Sequence, residues 1–96
     1  MIAIGCDHAA VSLKKAIMAH LDEKNISYID LGTDGEPCDY PIMAKAVAEK
    51  VTSGEAEKGI LLCGTGIGMS MAANKVKGIR AAVCSDCFSA RYTRLH

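Results

Sequence analysis

Short apolar runs alternate with amphipathic stretches along the chain, and the alternation repeats four times. Ile2 to Cys6 is a compact apolar run that predicts a first strand. Asp7-His8-Ala9-Ala10 forms its exit. Leu13, Ala16, Ile17 and Leu21 then recur at helical spacing, which predicts a helix over 13–24 capped by the Ser12 hydroxyl, with that face inward and the lysines outward. His20 falls near the apolar face and reads as structural. Ile26 to Leu31 predicts a second strand, and the turn formers from Gly32 to Cys38 predict a loop. Pro41 suits the first turn of another helix, where its missing N–H costs nothing. Met43, Val47 and Val51 stripe that helix, and Gly54 ends it. Gly59 to Cys63 reads as a buried strand and Ile67 to Lys75 as a helix. Ile79 to Cys84 reads as a fourth strand, and Ser85 to His96 as a last helix.

This order of elements predicts an α/β domain spanning residues 1–96. Its parallel sheet is covered on both faces and joined by right-handed crossovers, with strand one between strands two and three. In such sheets a ligand binds at the carboxyl ends of the strands. The chemically informative residues fall there: Cys6-Asp7-His8 after strand one, Gly32-Thr33 after strand two, and Cys63-Gly64-Thr65-Gly66 after strand three.

Composition narrows the class. Hydrophobic residues make up 50% of the 96, which excludes a disordered chain. The formal net charge is zero and no long basic run occurs, so neither nucleic acid nor an anionic membrane surface is an expected partner. An anionic small molecule needs only a local site. No apolar stretch is long enough to span a bilayer, and Met1 to Asp7 lacks the basic leader and cleavage site of a signal peptide. The five cysteines are odd in number and suggest no disulfide framework, so reduced thiols in a cytoplasm are expected.

The strongest local signal is Cys63-Gly64-Thr65-Gly66-Ile67-Gly68, between a buried strand and a helix. Glycines let a backbone approach a ligand and aim several N–H groups at it, and a helix N-terminus adds positive potential. The loop is therefore a candidate anion site, against the plainer reading of a tight crossover turn. Met69 stands where a dinucleotide fingerprint needs its third glycine, and no Gly-Lys-Ser/Thr closes a phosphate loop of the Walker type. Cys63 precedes the loop. A thiol near a helix N-terminus is more readily a thiolate, able to act as base or nucleophile. A buried, inert thiol is the alternative. Asp7-His8 suits proton transfer or sugar-hydroxyl binding, or is simply a capping Asp beside an exposed His. His96, as the last residue, reads from composition as a frayed end. Cys84-Ser85-Asp86-Cys87 has the spacing of a redox motif, but its flanks lack the expected aromatic-Gly-Pro character, and one such pair supplies too few ligands for a closed zinc site.

Taken together, six segments in order resemble the ribose-5-phosphate isomerase B family, which also includes galactose-6-phosphate and allose-6-phosphate isomerases. They are Gly5-Cys6-Asp7-His8, Asp39-Tyr40-Pro41, Cys63 to Gly68, Ala72-Ala73-Asn74-Lys75, Gly78-Ile79-Arg80-Ala81 and Cys84-Ser85, with a final helix ending on His96. The resemblance implies a three-layer α/β/α sandwich with a Rossmann-like parallel sheet, four of whose strands lie in this chain. It implies a metal- and cofactor-free aldose–ketose isomerase acting on a phosphorylated sugar, ribose 5-phosphate first, as a homodimer with shared active sites. By the same resemblance Cys63 is the base that moves a proton between C1 and C2. Thr65 and the backbone of Gly64, Gly66, Ile67 and Gly68 hold the enediolate oxygens. Asp7 and His96 assist ring opening, His8 contributes to the phosphate site, and Tyr40 lines the sugar pocket. The family continues past His96 with a further strand and helices that carry phosphate-binding arginines. A chain ending at His96 therefore reads as a shortened form, whose alternative role is a non-catalytic sugar-phosphate-binding fragment.

Overall fold

The computed structural model describes residues 1–33, 35 and 39–95. Cys38, in the anticipated loop, and His96 lie outside these residues. Three strands form one parallel sheet: β1 (Ile2–Cys6), β2 (Tyr28–Asp30) and β3 (Lys58–Leu62), in the order β2-β1-β3. The central place of the first strand agrees with the sequence reading. Four helices complete the described fold: α1 (Val11–Glu23), α2 (Tyr40–Thr52), α3 (Ile67–Asn74) and α4 (Cys87–Leu95).

The strand alternation of β1 separates two layers. A Cβ at Gly5 would strike Met43 and Val47 of α2, so the odd positions face α2. Ala3, Met43, Ala44, Val47, Ala56, Met69 and Ala73 form the core on that side, with α3 packed against α2. Ile4 and Cys6, fully buried, point to the opposite face, where α1 lies. Burial of such apolar surface is the main favourable term in holding the layers together.

Three sequence expectations change. The first helix is preceded by a single 3₁₀ turn, His8–Ala10, capped by the Asp7 carboxylate, which accepts the Ala9 N–H at 3.0 Å. Ser12 therefore sits inside the helix rather than at its cap. The buried stripe of α1 is also shifted: Lys14 and Leu21 are buried, continuing from Ala10 of the 3₁₀ turn, whereas Leu13 is 53% exposed and His20 is exposed. Spacing of four to seven residues fits either stripe; the pairing of Lys14 with Asp30 selects this one. Finally, residues 79–84 form no strand. The Asn74 carboxamide donates to the Ala81 carbonyl at 2.8 Å and accepts the Ala81 N–H at 2.7 Å. Both backbone groups that could have entered a ladder at Ala81 are thus taken by a side chain, and β3 has no neighbour on its outer side among the described residues.

Candidate active site

The register of the sheet brings two loops together. Cys6 pairs with Leu62, and the Asp7 N–H donates to the Leu62 carbonyl at 3.0 Å. Asp7 and Cys63 are the next residues along these two parallel strands, so the residue pair flanks a common carboxyl end. Asp7 is half-buried and His8 is exposed on the 3₁₀ turn beside it.

After β3 the chain turns sharply into α3. Gly66, the cap residue of α3, has φ +80°, a left-handed conformation that a side chain disfavours. This turn folds its N–H back onto Cys63, whose Sγ accepts it at 2.9 Å. The Thr65 Oγ1 accepts the Ile67 N–H at 3.2 Å, which leaves the Thr65 hydroxyl proton able to donate outward. A helix start has several N–H groups without helical partners. Here those of Gly66 and Ile67 are taken locally, while among the described residues the amides of Gly64, Thr65 and Gly68 find no acceptor.

Two side chains wall the loop. A Cβ on Gly68 would lie 2.8 Å from Tyr40 Cζ, so the Tyr40 ring at the start of α2 lies directly over the start of α3. A Cβ on Gly66 would lie 2.8 Å from Val83 Cγ2. Val83 belongs to the segment that Asn74 anchors. Sequence reasoning assigned neither Asn74 nor Val83 a place at this loop, because nothing local in the sequence signals a contact across so many residues. Gly66→Ala should therefore cost about 1–3 kcal/mol of stability, since the new methyl meets both a strained backbone and Val83. Denaturant unfolding checks this. A variant as stable as the parent would show that the loop relaxes freely.

The remaining cysteines divide clearly. Burial pushes the Cys6 thiol above its ordinary range, despite the Thr33 carbonyl it donates to and the nearby Lys14 charge. Cys6 is thus a protonated core residue. Cys84 and Cys87 are exposed, and all four described cysteines are free thiols. Among the described residues no cluster of three His, Cys, Asp or Glu side chains could hold a metal, and no helix is long and apolar enough to cross a membrane.

A sequence profile of the Ribose/Galactose Isomerase family matches residues 2–96. The chain belongs to this family. It is 53% identical over 96 residues to Ribose-5-phosphate isomerase B of Escherichia coli strain K12, covering 99% of this chain and 64% of that protein. It is equally 53% identical over 95 residues to the Galactose-6-phosphate isomerase subunit LacB of Clostridium acetobutylicum, covering 98% of this chain and 55% of that one. The solved structure of Clostridium thermocellum Ribose-5-Phosphate Isomerase B superposes with a TM-score of 0.93 at 50% identity, over 97% of this chain and 64% of that chain. This member of the Ribose/Galactose Isomerase family therefore spans less than two thirds of the length of these relatives. Their shared fold is the parallel α/β architecture described above.

Proposed function

We propose that the chain carries the proton-transfer half of an aldose–ketose isomerase that interconverts ribose 5-phosphate and ribulose 5-phosphate. The observation that supports this is the Cys63 sulfur held by the Gly66 amide at 2.9 Å, in a loop whose Gly64, Thr65 and Gly68 amides find no acceptor among the described residues. Isomerisation needs a positioned base and a stabilised oxyanion, and it needs no redox partner. With the sugar ring open, the Cys63 thiolate removes the C2 proton. The electron pair moves into the C1–C2 bond, and negative charge collects on O1. The amides of Gly64 and Gly68, with the Thr65 hydroxyl, face that charge. The O2 proton passes to O1, and the Cys63 thiol returns its proton to C1, giving the ketose.

Before this step the furanose must open. Asp7, with its carboxylate fixed by the Ala9 N–H, is the described group suited to moving the ring-oxygen proton, and His96 is its proposed partner. His8 is exposed on the same turn and is assigned to the phosphate, and Tyr40 to the sugar wall. The acting unit is a homodimer in this reading. Exposed Val83, Phe88, Tyr92 and Leu95 give it apolar surface to bury. Free thiols fit a reducing compartment such as the cytoplasm.

The chain is equally identical to proteins named for ribose 5-phosphate and galactose 6-phosphate, so the test offers several sugar phosphates. Residues 1–96 and an extended chain that continues with the C-terminal third of the Escherichia coli relative are incubated with ribose, allose and galactose phosphates in D₂O. Ketose formation with deuterium at the exchanged carbon supports the reading. Binding without exchange in either chain would favour the non-catalytic sugar-phosphate-binding role.

A further inference from the structure

Lys14 is wholly buried, and a buried ammonium persists only where it is paired and hydrogen-bonded. Its Nζ donates to both carboxylate oxygens of Asp30, at 2.9 and 3.1 Å, and to the Thr33 carbonyl at 2.9 Å. Asp30 also accepts the Gly32 N–H at 2.9 Å. Burial would raise the Asp30 carboxyl, but the Lys14 and Gly32 hydrogen bonds and the Lys14 charge outweigh it and hold it below the usual carboxylate range.

The other side of this strap grips one residue. The Cys6 N–H donates to the Gly32 carbonyl at 3.0 Å, the Thr33 N–H donates to the Cys6 carbonyl at 3.4 Å, and the Cys6 thiol donates to the Thr33 carbonyl at 3.6 Å. Cys6 immediately precedes Asp7. The chain of contacts therefore runs from Lys14 through residues 32 and 33 to the end of β1. The Lys14 end of the pair is buried while the Asp30 side chain stays 31% exposed, and the Lys14 hydrogen bonds tie Asp30 and Thr33 to α1.

We propose that Lys14 is a positioning residue: by fixing Thr33 against Cys6 it sets the direction in which Asp7 faces the sugar ring. The proposal rests on the isomerase reading and on its assignment of ring opening to Asp7. It predicts a loss confined to cyclic substrates. Ribose 5-phosphate closes a furanose through O4. Erythrose 4-phosphate carries its phosphate on O4, cannot close that ring, and requires only the proton transfer.

The test compares Lys14→Met and Lys14→Gln, each in an Asp30→Asn background so that no carboxylate is left without its Lys14 partner. The two side chains are close in length, but only glutamine can donate to the Thr33 carbonyl. Both sugars are assayed in the 96-residue chain and in the extended chain, with melting curves for each variant. The Met variant should lose about 10- to 100-fold in kcat on ribose 5-phosphate and less than about threefold on erythrose 4-phosphate. The Gln variant should recover most of that loss at a similar melting temperature. Lys14→Arg, which keeps the charge but displaces the donor, is a second variant and should show the same split between sugars. Equal losses on the two sugars, or no difference between Met and Gln, would overturn the proposal while wild-type activity upholds the isomerase reading. A wild-type protein inactive on both sugars would overturn the reading and this proposal with it.

Discussion

Replacing Cys63 by serine should lower isomerisation by about 10²–10⁴-fold, the range that a positioned general base contributes, while leaving the fold in place. A serine hydroxyl forms an alkoxide far less readily than a thiol forms a thiolate. The substitution changes little else. The Gly66 N–H that now meets the sulfur can still meet an oxygen, and the half-buried site loses no methylene. Cys63→Ala should fall to the same low level, because base strength and not side-chain shape is what both variants lack. The measurement is kcat in the extended chain, with melting curves for all three forms. Deuterium exchange at C2 should fall in parallel with turnover. Turnover near the parent value in Cys63→Ser would remove Cys63 from the mechanism and move attention to Asp7.

The second large effect concerns chain length. Residues 1–96 alone should fold and yet isomerise about 10²–10⁴-fold more slowly than the extended chain, even with substrate in excess. The estimate takes about 1.5–3 kcal/mol for each of two charge-assisted contacts to the phosphate. The resemblance places those contacts on arginines beyond His96. Binding energy from a group remote from the reacting carbons serves to position the sugar, so its loss lowers turnover as well as affinity. Two features of the described fold point the same way. The outer edge of β3 has no neighbour among the described residues, and Phe88 of α4 is 71% exposed. An unpaired strand edge and exposed apolar surface each favour association over an ordered site. Assaying the two chains side by side decides the matter. Equal kcat in both would show that the loop and β1 end suffice, and that the phosphate contributes through residues already present.

Local sequence pattern determined the order and kind of most elements in this protein. Apolar runs of five residues between amphipathic stretches force parallel pairing with helical crossovers, and both β1 and β3 fall within one residue of their expected bounds. The Cys63 to Gly68 turn was legible for the same reason, since glycine at a left-handed cap position is a local requirement. What only the tertiary structure decided involves groups distant in sequence that satisfy one another. Lys14 reads as a solvent-facing helix residue until Asp30 and the Thr33 carbonyl are placed over it, and its burial then turns Leu13 outward. Residues 79–84 have the composition of a strand, yet the Asn74 side chain occupies the Ala81 backbone groups and no ladder forms there. Asp7 belongs to the candidate site because its neighbour Cys6 pairs with Leu62, a register fixed by the whole sheet. In each case the deciding energy is a hydrogen bond or ion pair whose partner lies outside the local window. Periodicity reports which positions avoid water, and it carries no record of which buried polar group will find a partner.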